Sequence, residues 1–428
     1  MNTGASNRVV VITVAVAALG YFVDMYDIIL FNVVRRQSLL SLGVAEADLL
    51  NVGIQILDYQ LIGMIIGGIG FGILGDKRGR LSVLFASILL YSVANVANAY
   101  ITTVEQYALL RFLAGVGLAG ELGVGITLVS EIMTPAKRGY GTMLVATIGV
   151  LGASFAAFVG MHLDWRTAYL LGGGMGLVLL LLRVGVRESA IFKKAKARNE
   201  HRADFLAILR QPRLIGRFLQ CIIIGAPTFY TISILVSGAP EFGQAFGMAE
   251  RPTAEMAILV LYIFVSLSDI LCSVVSQWLG SRRQAMAVFL GILLSGMVAY
   301  LVFPAQSLTG FYVRVAWLGL GIGIWAVLIT TISELFGTNI RATATTAIPN
   351  FIRAFFIPLS FTFKALTPSL GLVNSAALVG IGSVIFSGIM IYNLPETFGR
   401  DLAFDESLTG SQADKRAELT KPVGTESK

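Results

Sequence analysis

The sequence predicts an all-α integral membrane protein with twelve transmembrane helices in two pseudo-symmetric six-helix bundles. Three observations carry that expectation. The 428 residues are 56% hydrophobic and only 13% charged, with a mean hydropathy of +0.78, too little polar surface to clothe a soluble core of that size. The apolar residues gather into blocks of about 20, the length that crosses a hydrocarbon layer as a helix, and backbone groups inside lipid must pair within the segment. The second half of the chain also repeats landmarks of the first.

The blocks run 8–31, 51–74, 82–99, 105–131, 139–161, 166–186, 215–239, 254–278, 285–304, 311–333, 342–366 and 371–394. The first has no small-residue cleavage site and is long enough to span, so it reads as a retained helix, not a signal peptide. The second and third are joined by the basic turn GILGDKRGR (72–80). The fourth is smoothed by Gly115, Gly117, Gly120, Gly123 and Gly125, and such residues let membrane helices approach closely. Between the sixth and seventh lies the longest polar stretch, 187–214, with Arg187, Lys193, Lys194, Lys196, Arg198, Arg202, Arg210 and Arg213. The loop 32–50 carries only Arg35 and Arg36. Basic short loops stay cytoplasmic, which places 187–214 and, with twelve spans, both termini inside, in a plasma membrane expected to be a bacterial inner membrane. The expected domains are 1–186 and 215–394, with 187–214 as linker. The tail 395–428, rich in Ser, Thr, Glu, Asp and Lys, reads as disordered.

The repeat has a fixed offset. Arg111, Glu131 and Arg138 recur as Arg314, Glu334 and Arg341, each 203 residues on, and each Glu follows a Ser (Ser130, Ser333). The halves also end alike, VRESAIF at 186–192 and LPETFGR at 394–400. Internal duplication is a common plan of transporters, with the substrate site between the halves near mid-membrane. Other classes find no support. Cys221 and Cys272 sit in apolar blocks without disulfide or metal spacing. The two histidines, His162 and His201, fall in or beside loops, and no Ser/His/Asp set or zinc spacing occurs. The glycine-rich stretches follow no strand, so they are not phosphate loops. The net charge of +7 belongs to cytoplasmic loops and does not signal nucleic acid. The expectation is a non-enzyme without cofactor or metal, a monomer whose partners are a small solute, protons and the bilayer.

At this point the chain resembles the major facilitator superfamily over nearly its whole length. The carrying motifs are GILGDKRGR (72–80), RFLAGVGLAGELG (111–123), SEIMTPAKRG (130–139), SELFGTNIRATAT (333–345) and LPETFGRDL (394–402). The second-half copy of the first motif, SQWLGSRRQ (276–284), has Gln277 where the family has aspartate. The SELFGTNIRAT and LPETFGR stretches are similar to sugar porters, organic-ion transporters and phosphate:proton symporters. FVDMYDIILF resembles the first segment of phosphate:proton and metabolite:proton symporters. The resemblance implies alternating access, with the loop set Asp76, Arg80, Glu131, Arg138, Glu334 and Arg341 forming charge pairs that break and re-form. The bland alternative is topology signals only.

Ionisable groups inside membrane helices are costly and usually face a cavity or a partner. Asp24 and Asp27, three apart on a helix, share a side. Two adjacent carboxyls resist joint ionisation, which suits a proton carrier; the alternative is a hydrogen bond near a helix break. Glu121 is either a further proton carrier or half of a structural pair. Arg111 either tunes a neighbouring carboxylate as part of the gating set or snorkels to the interface. Arg353, twelve residues after Arg341, occupies the slot where the resemblance puts Asp in organic-cation, Arg in organic-anion and Lys in phosphate carriers. A buried guanidinium is a natural clamp for an acid group; its alternative is a bridge to Asp24, Asp27 or Glu121. Tyr230 (203 after Asp27), Gln220 and Asn350 join it as substrate contacts or as ordinary packing. Asp269 is a further buried acid with Arg314 as candidate partner, and Lys364 is expected to snorkel to the outer surface.

The seventh segment lacks the Trp, Asp and Tyr of phosphate symporters, offering Ile223, Pro227 and Tyr230 or Thr231. The expected function is therefore proton-coupled symport of a small organic anion or zwitterion. Phosphate symport, an exporter or exchanger of the same fold, and a transport-dead solute sensor remain the alternatives.

Overall fold

The computed structural model describes residues 7–78, 80–119, 135–184, 211–337 and 340–399. Among them, eight helices are long and apolar enough to cross a membrane, and Phe85–Asn98 and Thr147–His162 add shorter apolar stretches. The first half consists of α1 (Asn7–Ser41), α2 (Leu49–Arg78), α3 (Arg80–Asn98), α4 (Val104–Leu118), α5 (Pro135–His162) and α6 (Trp165–Val184). The second half begins with α7 (Pro212–Tyr230) and the short α8 (Ala239–Ala245). It continues through α9 (Ala254–Leu279), α10 (Arg282–Leu301), α11 (Leu308–Ile322), α12 (Trp325–Leu335), α13 (Arg341–Ala354) and α14 (Phe356–Tyr392). Hydroxyl caps start four of these helices: Thr103, Thr253, Ser281 and Ser307 each accept the N–H three residues on.

Twelve spans follow from these elements, because α14 is two of them. At Gly371 the backbone takes φ 77° and ψ 169°, a conformation only glycine adopts without strain. Before it the chain runs parallel to α7, with Phe351 against Phe218 and Phe356 against Phe229. Beyond it the chain runs back, so Ala376 meets Tyr230 and Met390 meets Gln220. The tenth span is also broken, α11 stopping at Ile322 and α12 starting at Trp325. The block 311–333 reads as one helix in sequence. Its interruption at Gly323 leaves room for Ser268, which donates to Leu320 O. The seventh span widens after Tyr230, where Ser237 N bonds Ile232 O, five residues back.

The halves repeat in their packing. In the first, α1 packs on α5, α2 on α4, and α3 on α4 and α6; in the second, α7 packs on α13, α9 on α11, and α10 on α11 and α14. The Tyr26 hydroxyl donates to Ala168 O at 2.8 Å and the Tyr230 hydroxyl to Ala376 O at 3.1 Å. By structure, then, Tyr230 matches Tyr26, one residue away from the Asp27 that the sequence offset selects. Between the halves, α5 lies on α9 and α2 on α13.

Candidate functional site

Arg353 lies where those halves meet. It sits in the last turn of α13 and is 3% exposed. Asn350, one turn earlier, accepts from Arg353 Nη1 at 3.1 Å and donates through Nδ2 to Ala119 O at 3.3 Å, across to the first half. One amide thus holds the guanidinium and ties α13 to the end of α4. The Trp325 ring lies 5.9 Å from the guanidinium carbon. Tyr21 and Asp24 from α1 and Tyr262 from α9 stand close enough to act on its charge. Among the described residues, no carboxylate comes within 4.0 Å of it as an ion pair.

Tyr21 organises the neighbourhood. Arg353, Asp269, Trp325 and Asp24 all act on its hydroxyl. Its ring packs against Gly149 of α5, where a β-carbon would fall 1.7 Å from Cδ1; a side chain there would evict the tyrosine. Asp24 is buried beside this group. Three residues on, Asp27 faces elsewhere: its Oδ1 and the Tyr26 ring both abut Gly172 of α6, inside the first half. Positions three apart on a helix differ by about 60°, enough here to separate the two acids.

Asp27 belongs with a second polar group. Arg111, fully buried, donates to Asn95 and lies 4.6 Å from the Tyr169 ring, on which Asp27 also acts. The Tyr169 and Tyr107 hydroxyls bond at 2.7 Å. Arg111 is interior to its own half and does not snorkel to the surface.

The other expected site residues scatter. Tyr230 and Gln220 spend their hydrogen bonds on the returning part of α14. Glu334 pairs with Arg282 at 3.2 Å and accepts from Thr397 at 2.7 Å, all within the second half. Glu396, in the segment read as a tail, accepts the Ser281 hydroxyl and the Arg282 and Phe398 N–H groups. Burial pushes its carboxyl up, but these hydrogen bonds outweigh that and hold it down at about 2. Glu121 and Glu131 lie outside the described residues, and for Asp76, Arg80, Arg138 and Arg341 only the backbone is described. Arg314 bonds the Ala299 and Gly310 carbonyls instead of Asp269.

Sequence reasoning missed the latch at the opposite end of α1. Arg35 pairs with Glu241 at 2.8 Å and donates to Ser237 O at 3.0 Å, while the Ser237 hydroxyl donates to Asn32 O. Lys364 pairs with Asp58 of α2 at 3.0 Å, and Ser360 bonds the same carboxylate, so Lys364 bridges the halves instead of snorkelling. Arg251 reaches Glu46 at 3.8 Å. Among the described residues, every ion pair joining the halves sits at this Arg35 end.

This architecture and the sequence identify the family. The chain belongs to the Major Facilitator Superfamily, whose family model matches residues 17–358. It is a multi-pass membrane transporter, not an enzyme. It is 24% identical over 423 residues to the "Probable 4-methylmuconolactone transporter" of Cupriavidus pinatubonensis, covering 95% of each chain. A 155-residue stretch is 36% identical to the 4-hydroxybenzoate transporter PcaK of Pseudomonas aeruginosa, 34% of each chain. The crystal structure of a D-xylose-proton symporter superposes with a TM-score of 0.70 at 17% identity, over 92% of this chain and 99% of that one.

Proposed function

We propose that this transporter couples entry of a small organic acid to entry of protons. The observation that carries the reading is Arg353: a buried cation between the halves, held by Asn350, with no ion pair among the described residues. A guanidinium in low dielectric binds a carboxylate strongly and directionally. The rings of Tyr21, Tyr262 and Trp325 around it suit a flat, unsaturated acid such as the 4-hydroxybenzoate in one relative's name. Asp24 supplies the coupling. When a substrate acid takes Arg353, Asp24 loses the charge that balances it and takes a proton. The loaded site then carries no uncompensated charge from these groups, and the halves can rock.

The sequence orientation puts the Arg35 end outside, with both termini cytoplasmic in a bacterial inner membrane. The latch at Arg35, Glu46 and Asp58 then closes the outer side of a single-chain, monomeric carrier. With one proton per monovalent acid the step moves no net charge, so the pH gradient drives it, at about 1.4 kcal/mol per pH unit.

Reconstitution in liposomes tests the reading. A panel of carboxylates, amino acids and phosphate should show acid-driven proton influx in the wild type. Asp24→Asn should abolish pH-driven accumulation and keep solute exchange. Full accumulation by that variant would refute the proton role, and transport of phosphate alone would replace the substrate class.

A further inference from the structure

We propose that Asp269 is a second proton-binding group of the substrate site, so that organic-acid binding takes up two protons, one at Asp24 and one at Asp269. The proposal rests on the organic-acid reading above and adds a residue and a proton count to it.

Asp269 lies on the second half, mid-way along α9, and is buried. Its Oδ1 accepts the Ala326 N–H at 3.3 Å, in the first turn of α12 just past the break at Gly323. The break therefore presents a helix start to the carboxyl, and Ser268 beside it holds the other side of the break through Leu320 O. No Lys, Arg or His among the described residues lies in ion-pair range of Asp269.

Among the described residues, the surrounding elements offer that charge no counter-ion. Ala326, which binds it, follows directly on Trp325, whose ring lies 5.9 Å from the Arg353 guanidinium, and from α1 the Tyr21 hydroxyl is near enough to act on it. On α9 itself Cys272 lies one turn away. From α10, Arg282 reaches toward Cys272 but is bound to Glu334. From α11, Arg314 is held by two backbone carbonyls. From α12 comes only the Ala326 N–H. The described side chains of α5 offer nothing titratable before His162 at its exposed end.

Charge counting follows. Arg353 and Asp24 balance each other across the halves. Asp269 adds a negative charge once the pH is high enough to ionise a buried carboxyl. A substrate carboxylate adds another. Closing the halves over Arg353, two aspartates and an organic anion buries a net charge of two unless both aspartates are protonated, and uncompensated buried charge is strongly disfavoured. Anion binding and protonation of Asp269 are therefore linked: each must favour the other.

The test is calorimetric binding of 4-hydroxybenzoate to the full-length protein in detergent at pH 9, where both carboxyls start ionised, repeated in buffers of different ionisation enthalpy to count protons taken up. The wild type should take up two, Asp269→Asn one, Asp24→Asn one, and Asp269→Glu two. Asn keeps an acceptor for Ala326 N–H, and retained binding of the acid at low pH checks that Asp269→Asn is folded. An unchanged count in Asp269→Asn would overturn the proposal while leaving the organic-acid reading standing. A wild type that binds none of the probe would instead overturn that reading, and this proposal with it.

Discussion

Two buried arginines, Arg111 and Arg353, show how one residue type serves two ends. Arg111 sits inside one half. Asn95 accepts from it, the Tyr169 ring lies 4.6 Å away, and the Tyr107–Tyr169 hydroxyl pair locks that ring. Its surroundings all belong to the first half. Arg353 sits between the halves, with a single described hydrogen-bond partner and a more distant ring at 5.9 Å. Its neighbours come from α1 of the first half and from α9, α12 and its own helix of the second. A cation enclosed by one rigid unit stabilises that unit. A cation shared by two units reports whether they have come together, and a ligand acid can enter that contact.

The largest expected effect is on stability. Arg111→Ala opens a fully buried polar network and should cost about 3 kcal/mol, at the severe end for single substitutions, read as a lower melting temperature in detergent. Arg353→Ala should cost less, about 1–2 kcal/mol, because Asp24 can take up a proton once its balancing charge is gone. Equal losses would erase the distinction. Next comes the latch. Glu241→Gln removes the charge opposite Arg35 and should weaken the closed Arg35 end by roughly 1–2 kcal/mol. Hydrogen exchange should then quicken in 231–241 and stay unchanged near Glu396; uniform quickening would point to general destabilisation.

The smallest effect concerns Glu396. Its carboxyl falls from the usual 4.5 to about 2 in the fold, so its contribution is complete above pH 4.5 and is lost as pH drops toward 2. Glu396→Gln should flatten that stretch of the stability–pH curve. The group is largely exposed and screened, so the change should stay well under 1 kcal/mol. A slope unchanged by the substitution would remove Glu396 from the acid response.

Much of this was legible in the sequence, for physical reasons. Lipid forces long apolar helices, so the twelve blocks announce themselves, and duplication leaves landmarks such as Arg111 and Arg314. Asp24 and Arg353 stood out because charge in an apolar run needs a reason. Facing was not legible. Asp24 and Asp27 differ by only about 60° on their helix, and nothing in FVDMYDIILF tells which side α6 covers. Tyr230 and Gln220 looked available until the chain turned back at Gly371 and supplied carbonyls for both. Tyr21, Tyr262 and Trp325 carry no signal among the 43 aromatic residues (Phe 26, Tyr 13, Trp 4). The partners of Arg35 and Lys364, Glu241 and Asp58, are some 200 to 300 residues away, beyond any local pattern.

The most direct test compares 4-hydroxybenzoate with its uncharged amide, 4-hydroxybenzamide, as ligands of the wild type and of Arg353→Ala. If Arg353 receives the acid group, the wild type should favour the acid by about a hundredfold, some 2.7 kcal/mol, and Arg353→Ala should bind both alike with its fold intact. A preference for the acid that survives in Arg353→Ala would contradict the account.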